Sequence, residues 1–287
     1  MANEKHAASE VNATACTGKT VDVTLHITAK DLARAGAEPI GILSSIILPP
    51  ETEEQDLRRI MSELEQACDE LQIEILGGHT EVSDAVNRPV ITVTGVGKVA
   101  RGDLLSTGGM QPGDELVMTK WAGLEGSAII AAEKRDVLEQ TLPAHLIDTA
   151  ESFLKHISVV PEAKIAMQHG VHAMHDVTEG GIFGALWEMG AASGVGIVAD
   201  LDKIPIRQET IELCEVFDIN PYLLISSGCM LIGCENGNLL VERLQEAGIP
   251  AAVIGRATEG NDRVIRSGEE TRFLEPAGSD ELYKIYE

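Results

Sequence analysis

The sequence predicts an α+β fold made of two domains, each with a mixed sheet covered by helices. Short β-branched and apolar segments interchange with longer segments whose apolar residues recur every three or four positions, which is typical of α+β sandwiches. The chain has 287 residues, of which 44% are hydrophobic, so it can bury a substantial core and divide into two domains. A glycine-rich, nearly aperiodic stretch at residues 101–114 is interpreted as the linker between them.

The first domain is expected at residues 20–100, after a polar flexible arm at residues 1–19. Its clearest element is a helix over 52–71, because Leu57, Leu64 and the apolar residues around them recur at three- and four-residue steps. The acids that follow Thr52 suit the first turn of that helix. The complete expected order is strand 21–27, helix 29–35, strand 39–48, helix 52–71, strand 73–76 and strand 90–99.

The second domain is expected at residues 115–287, where periodicity and turn residues predict a longer series of elements. The expected strands are 115–119, 171–174, 196–201, 222–225, 230–233, 252–256 and 263–266. The expected helices are 124–134, 144–157, 181–192, 208–216 and 238–247. We find no internal repeat and no low-complexity segment in the sequence.

The charge balance favours a small-molecule partner. The chain has 22 Lys and Arg against 46 Asp and Glu, for a formal net charge of −24. Such a surface repels nucleic acid and anionic membranes, which both need a basic binding surface, so neither is expected as a partner. A polyanionic nucleotide needs locally positive help from Mg²⁺, helix ends and a few basic side chains.

The sequence predicts a cytoplasmic protein with unpaired cysteines. The first residues lack the apolar core of a signal peptide, and no apolar run approaches the length of a membrane span. The cysteines are odd in number and scattered, without a CxxC pair, so their expected role is as small buried apolar residues. They are Cys16, Cys68, Cys214, Cys229 and Cys234.

The most informative motif begins at His175 and places an acid, a hydroxyl and two glycines where a buried strand is expected to turn into a helix. Free backbone N–H groups and the helix dipole favour an anion at such a junction, and glycines allow it to approach closely. We therefore expect Thr178, Gly180 and Gly181 to contact phosphate and Asp176 to hold a cation beside it. An ordinary helix cap is the alternative interpretation, since Asp and Thr are common N-cap residues.

A second motif follows the apolar run 73–76. Gly77 and Gly78 are interpreted as a turn that carries His79, Thr80 and Glu81 into a polar loop before the strand at 90–99 returns. The motif predicts a second glycine-lined site for phosphate.

Together with the segment from Lys30 to Pro39, these motifs resemble the superfamily of aminoimidazole ribonucleotide (AIR) synthase. That superfamily includes selenophosphate synthetase, thiamine-monophosphate kinase and the hydrogenase maturation factor that dehydrates a thiocarboxamide, and the similarity is greatest to the AIR synthase-related proteins. It covers about residues 20–275 in one unbroken order of motifs. The resemblance implies a two-domain PurM-like fold, ATP and Mg²⁺ as cofactors, a small-molecule substrate, and a homodimer formed through the first domain.

The resemblance also implies roles for particular residues. Asp31 and Asp176 match family aspartates at the Mg–ATP and substrate cleft, and such carboxylates suit Mg²⁺; for Asp31 the alternative is a helix-capping acid. His79 matches the Gly-Gly-His of selenophosphate synthetase, where other members have an acid, and is expected to contact phosphate or transfer a proton. Glu81 either replaces the missing acid as a metal ligand or is a solvated carboxylate.

Three further features have alternative interpretations. His169, His172 and His175 follow one another at three-residue spacing, but His172 and His175 on one strand would point to opposite faces, which disfavours a shared metal ion. Residues 226–229 form either a hairpin turn or a loop near the cleft. Trp121, with the glycines after it, is either a helix entry or a cleft wall.

The sequence therefore supports two hypotheses of function. The first is an ATP- and Mg²⁺-dependent enzyme that phosphorylates or activates an oxygen of a small substrate, with His79 and Asp176 as catalytic residues. The second is a homodimeric nucleotide- or metabolite-binding member of the fold without catalysis. Superfamily enzymes carry an earlier glycine- and Asp-containing segment that this sequence does not include, so we expect weak ATP binding. The terminal cysteine of the hydrogenase factor is also missing, which disfavours that specific activity.

Overall fold

The fold was analysed in a computed structural model that describes residues 4–13, 19–276 and 278–286. The chain divides into two compact units, Met1–Leu104 and Leu105–Glu287. Each unit has one sheet that contains both parallel and antiparallel pairs, together with helices. The predicted α+β class is therefore confirmed, and the unit boundary lies inside the stretch 101–114 that was interpreted as a linker.

The first unit contains a four-stranded sheet in the order β1-β4-β2-β3, in which only β2 and β3 are parallel. Its helices supply Leu25 and Leu64 to a core with Ile46 and Val93 of the sheet, and Leu32 to a smaller cluster with Ala37 and Val99. The elements are β1 Glu4–Ala13, α1 Lys19–Arg34, β2 Glu38–Leu48, α2 Glu54–Leu71, β3 Glu74–Val82 and β4 Val90–Ala100.

Two expectations for the start of the chain are wrong. The expected arm at residues 1–19 contains β1, which pairs with β4 along its whole length. The expected strand 21–27 is the first half of α1. Alternate apolar residues at 21, 23, 25 and 27 suit a strand, but Leu25, Ala29 and Leu32 also fall at helical spacing and are buried. Burial of that helical stripe outweighs the local β propensity.

The expected Gly77-Gly78 turn is also wrong, because both glycines lie inside β3. This strand runs parallel to β2, with Gly78 opposite Ser44. A Cβ atom on Gly78 would lie 1.9 Å from the carbonyl oxygen of Ser44. Glycine is therefore required here for the close approach of two backbones.

The second unit is built on a seven-stranded sheet in the order β11-β10-β7-β9-β5-β8-β6. Its strands are β5 Glu115–Thr119, β6 Ala173–Asp176, β7 Gly196–Asp200, β8 Met230–Cys234, β9 Ala251–Thr258, β10 Arg263–Ser267 and β11 Glu270–Phe273. Its helices are α3 Leu124–Glu133, α4 Arg135–Leu138, α5 Ala144–Glu151, α6 Val160–His169, α7 Gly181–Ser193, α8 Gln208–Phe217 and α9 Gly237–Glu246. Short 3₁₀ helices cover Ser152–His156, Leu201–Lys203, Pro221–Leu223 and Glu281–Tyr286.

Most elements of the second unit agree with the sequence pattern, and the exceptions have local causes. The expected strand 222–225 begins as a 3₁₀ turn instead, because the side chain of Asn220 accepts a hydrogen bond from the Tyr222 N–H and Pro221 follows it. Helix α6 and the 3₁₀ helix near the C-terminus were not predicted. Residues 107–110, which the sequence pattern placed in the linker, are packed within the second unit, where Met110 is 4% exposed.

The described cysteines are buried and form no disulfide with one another, namely Cys68, Cys214, Cys229 and Cys234; Cys16 lies outside the described residues. Burial raises the pKa of Cys68 to about 11 and of Cys214 to about 12. These two thiols are therefore protonated near neutral pH and are poor nucleophiles.

Within the described ranges, no helix has the length and apolar character that crossing a bilayer requires.

Gly181 provides a test of how closely the second unit is packed. It has φ 58°, and a Cβ atom would lie 2.5 Å from the Tyr222 carbonyl oxygen, whereas Gly194 has φ 66° and open space around it. We expect Gly194→Ala to destabilise by about 1–2 kcal/mol from its left-handed backbone alone. Gly181→Ala should cost a further 1–3 kcal/mol or so from overpacking. Urea unfolding of both variants measures the difference, and equal losses would contradict the close packing.

Candidate functional site

The candidate site is a cluster of loops at one edge of the second sheet. Strand β8 pairs antiparallel with both β5 and β6. The chain therefore leaves β5 at Thr119 and β6 at Asp176 at the same edge where it enters β8 at Met230. Three loop segments meet there, namely residues 120–123, 177–180 and 225–229. Loop ends that converge at one edge of a sheet are a common location for binding sites in mixed folds.

Hydrogen bonds hold these three segments together. The Val177 N–H donates to the Cys229 carbonyl at 3.1 Å, and the Gly123 N–H donates to Ser226 Oγ at 2.7 Å. Ser226 and its neighbour Ser227 are 0% and 1% exposed. The segment 226–229, interpreted as a hairpin turn or a cleft loop, is thus the buried centre of the cluster.

Asp176 is the last residue of β6, where it lies opposite Met230 of β8, and it is 6% exposed. It lies beside a loop in which Thr178 is half-buried. Helix α7 begins at Gly181 with Gly180 as its N-cap and without any capping side chain. The alternative that Asp176 or Thr178 is an ordinary helix cap is therefore wrong.

The start of α7 already holds an anionic group that belongs to the chain. The Gly180 N–H donates to Oδ2 of Asp280 at 2.8 Å, and Asp280 is 4% exposed. The sequence predicted a phosphate at this position, whereas in the structure the Gly180 amide is bonded to a carboxylate of the chain itself. Sequence reasoning missed Asp280 because no local motif marks it.

A buried ion pair lies on the other side of the cluster. The Lys120 Nζ contacts Glu162 Oε1 and donates to the carbonyls of Ser158 at 2.6 Å and Gly228 at 2.9 Å. The side chains of Lys120 and Glu162 are 7% and 1% exposed. Burial raises the pKa of Glu162, against the opposing effect of Lys120. Lys120 also has φ 55°, an uncommon backbone for a residue other than glycine.

Trp121 follows Lys120 and belongs to the packing of the unit. Its ring makes edge contacts with Phe153 and His156 at about 5 Å, and the Arg207 guanidinium lies over it at 5.5 Å. Burial, reinforced by Lys120 and Arg207, lowers the pKa of His156, so its imidazole is neutral at pH 7. Trp121 is 9% exposed, which favours the interpretation as part of the helix entry.

Three of the predicted metal and catalytic residues, His79, Glu81 and Asp31, lie in the first unit. His79 and Glu81 extend from the same side of β3, with Nε2 and Oε2 3.3 Å apart and side chains 67% and 51% exposed. Asp31 lies in the last turn of α1, where its carboxylate faces Arg34 at 3.4 Å. The expectation that Asp31 sits beside a helix start is therefore wrong, because the helix that contains it begins at Lys19.

The three spaced histidines have three different partners. His169 contacts the Asn236 carbonyl at 3.0 Å, His172 contacts the Asp114 carboxylate at 2.9 Å, and His175 contacts Glu188 at 2.9 Å. Among the residues that the structure describes, no group of three His, Cys, Asp or Glu side chains is arranged to hold a metal ion.

A cavity of about 840 Å³ opens beside Gly180, between the start of α7 and residues 274–276, 278, 279 and 281. Phe183 and Tyr222 line it as a parallel stacked pair with ring centroids 5.3 Å apart. Burial, together with Asp202, raises the pKa of Tyr222, so its hydroxyl stays protonated and can donate a hydrogen bond. The volume is in the range of small-molecule sites.

Comparison with known proteins agrees with the resemblance found in the sequence. The family models described as AIR synthase related protein, N-terminal and C-terminal domain, match residues 6–99 and 111–267. A putative hydrogenase expression/formation protein of Methanocaldococcus jannaschii is 30% identical over 83% of this chain and 70% of its own length. The carbamoyl dehydratase HypE of Rhodobacter capsulatus is 28% identical over the same shares.

A solved structure also supports the fold. The hydrogenase maturation protein HypE in complex with ATP matches 98% of this chain and 87% of its own chain, with a TM-score of 0.80 and 19% identity. At that identity the match establishes the fold alone.

Removal of one partner from the buried Lys120–Glu162 pair should destabilise the second unit strongly. We expect Lys120→Met to cost about 3–5 kcal/mol, because it leaves a buried carboxylate without its partner. The exposed pair Lys203–Asp200 is the control, and Lys203→Met should cost at most about 1 kcal/mol. Urea unfolding followed by tryptophan fluorescence reports this unit, since Trp121 and Trp187 both lie in it. Comparable losses in the two variants would contradict the assignment.

Proposed function

The chain belongs to the AIR synthase related family, and from this premise we propose that it is an ATP- and Mg²⁺-dependent enzyme that phosphorylates or activates an oxygen atom of a small-molecule substrate. The observation that carries the proposal is the placement of the buried Asp176 at the sheet edge where three polar loops converge. The ATP complex of a protein with the same fold supports the choice of nucleotide.

The proposed metal residues are oxygen donors, which suits Mg²⁺. Asp176 would hold the ion, and Asp31 and Glu81 are further candidates. Mg²⁺ commonly takes one or two protein carboxylates and completes its shell with water and phosphate oxygens, so a complete cage of side chains is not required. When bound, the ion neutralises charge on the phosphates.

The proposed phosphate contacts come from both glycine motifs. Gly77, Gly78 and Thr80 lie on β3, while Thr178 and Gly181 flank the start of α7. Gly180 contributes differently from the original expectation, because its N–H is bonded to Asp280. We infer that Gly180 shapes the loop through its left-handed backbone, with φ 78°.

The proposed chemistry is phosphoryl transfer by positioning and charge neutralisation. An oxygen of the substrate forms a bond to the γ-phosphorus while the bond from that phosphorus to the bridging oxygen breaks, and ADP leaves. His79 is the proposed acceptor of the proton that the substrate oxygen loses. Glu81, 3.3 Å away, orients the imidazole.

The small-molecule character of the substrate rests on two observations. The cavity beside Gly180 has the volume of a site for a compound of modest size, and both apolar and charged side chains line it, among them Phe183, Arg272 and Glu275. The net charge of −24 disfavours nucleic acid.

One observation favours a second candidate, a nucleotide- or metabolite-binding protein without catalysis. The Asp280 carboxylate already accepts the hydrogen bond of the Gly180 N–H, so this donor is not available to a bound phosphate. Assay of ATP hydrolysis and transfer against a panel of metabolites distinguishes the two. Turnover supports the enzyme, and tight binding without turnover supports the binding protein.

We expect Asp176→Asn to weaken Mg²⁺-dependent nucleotide binding by about tenfold or more, since loss of one charge-assisted contact is worth about 1.5–3 kcal/mol. Asn is similar in size to Asp and lacks only the charge. Titration calorimetry with a non-hydrolysable ATP analogue, with and without Mg²⁺, measures the effect. Asp200→Asn, on a half-exposed strand end elsewhere in the unit, is the control. Equal Mg²⁺-dependent affinity in wild type and Asp176→Asn would remove Asp176 from the metal site.

We also propose that the protein is a homodimer formed through the first unit. One face of its sheet is covered by helices, whereas on the other face Leu43 is 43% exposed. At the β3 edge Leu76 and Val82 are 48% and 64% exposed. A unit of this size buries comparatively little of its own surface.

Light scattering at micromolar concentration tests this state, and we expect the mass of a dimer. The variant Leu43→Lys places a charge on the open face and should shift the mass toward the monomer. Leu239→Lys, at an exposed leucine of α9, is the control. A well-folded wild-type monomer would contradict the proposal.

A further inference from the structure

We propose that Asp280 is a positioning residue of the candidate site, although it lies far along the sequence from the motifs that mark that site. The inference rests on the proposed function for its consequence on ligand binding. Its structural content, that one carboxylate fixes two loops of the cluster, can be tested without any ligand.

The carboxylate of Asp280 bridges two loops. Its Oδ2 accepts the Gly180 N–H at 2.8 Å, and its Oδ1 accepts the Ile225 N–H at 3.2 Å and the Leu282 N–H at 2.9 Å. Gly180 ends the loop that starts at Asp176, and Ile225 starts the loop that leads into β8. Hydrogen bonds to an ionised acceptor are stronger than those between neutral groups, so the Asp280 carboxylate holds the two loops together strongly.

The segment that carries Asp280 is itself anchored. Glu281, 7% exposed, accepts the Asn220 N–H at 3.1 Å and pairs with Lys284 at 2.7 Å. Ile285 is 7% exposed and belongs to the core of the unit. The Tyr286 hydroxyl contacts Glu133, away from the loop cluster. The contacts of Glu281 and Ile285, which do not involve the two loops, therefore hold Asp280 in position.

The loop 225–229 is held near its other end by the positive charge of Lys120. Lys120 Nζ donates to the Gly228 carbonyl at 2.9 Å, while Asp280 accepts from the Ile225 N–H at the other end. Each charge faces the backbone group that complements it. Buried charged side chains thus fix the loop 225–229 at Ile225 and at Gly228.

Movement of this loop would reach Asp176. The Val177 N–H, next to Asp176, donates to the Cys229 carbonyl at 3.1 Å, and Asp176 lies opposite Met230 in the sheet. Without Asp280, the buried Gly180 N–H and the half-buried Ile225 N–H would lose their acceptor, and both loops would shift to find other acceptors. Asp280 therefore sets the position of the proposed metal ligand through these contacts.

The opposite role would be competition, in which Asp280 keeps a ligand phosphate away from the Gly180 N–H. The two roles predict effects of opposite sign when the carboxylate is removed. Positioning predicts weaker nucleotide binding, and competition predicts tighter binding.

Hydrogen exchange measured by mass spectrometry tests the structural content. Asp280→Ala removes both acceptor oxygens, and Asp280→Asn keeps one. We expect the amides of Gly180 and Ile225 to exchange about ten- to a hundredfold faster in Asp280→Ala, with Asp280→Asn intermediate. Tyr286→Phe, which alters the same segment away from the loops, is the control and should exchange like wild type at both amides. Unchanged exchange at both amides in Asp280→Asn and Asp280→Ala would overturn the inference, and if the alanine variant does not fold, Asp280→Asn decides.

Titration of the same variants with Mg²⁺ and a non-hydrolysable ATP analogue tests the consequence, at a temperature where each is folded. We expect Asp280→Asn to weaken binding about tenfold and Tyr286→Phe to leave it unchanged. Equal or tighter binding in Asp280→Asn would overturn the positioning role. If the wild type itself binds no nucleotide, the proposed function fails, and the exchange result still decides whether Asp280 holds the two loops.

Discussion

The structure of the second unit depends on one constraint, which is that the loop from Ile225 to Cys229 runs through the interior. Backbone N–H and C=O groups in such a place must be bonded within the protein, since water is excluded. The Ile225 N–H and C=O are bonded to Asp280 and to the Gly126 N–H, and the Gly228 and Cys229 carbonyls to Lys120 and the Val177 N–H. The constraint is therefore satisfied by the buried side chains of Asp280 and Lys120 and by the backbone N–H groups of Gly126 and Val177.

Close packing between backbones also changes how the glycines of both motifs are understood. Gly78 and Gly181 each lie where another backbone passes within van der Waals contact, and a side chain would collide with a carbonyl oxygen. Glycine at these positions is thus required by the fold, whether or not a phosphate approaches. A glycine motif found in a sequence can therefore mark close packing and a binding site at once, and only the neighbours distinguish the two.

The sequence predicted the parts of the fold that depend on neighbouring residues. Helix α2, with apolar residues at regular steps, and strand β5 fall where the pattern placed them. Helix α1 and strand β3 did not, because burial of a helical stripe overrides the alternation at 21–27, and pairing with β2 overrides the turn that Gly77 and Gly78 suggest.

The candidate site shows the same division between local and distant contacts. Asp176 and its glycines were found as a motif, whereas Lys120, Glu162 and Asp280 take their roles from contacts across tens of positions. A single lysine after an apolar strand and a single acid near the C-terminus carry no spacing that a sequence pattern could detect.

The contact between Asp280 and the loops has a consequence for how the protein is made. A growing chain can assemble the sheet of the second unit and bring β5, β6 and β8 together well before residue 280 has been synthesised. Until then the amides of Gly180 and Ile225 have no carboxylate to bind, and the loop cluster is incomplete. Since domains tend to fold as units from the N-terminal side during synthesis, the loop cluster is completed only after residue 280 has been made, and a nascent chain stalled shortly before residue 278 would lack the carboxylate that the amides of Gly180 and Ile225 bind.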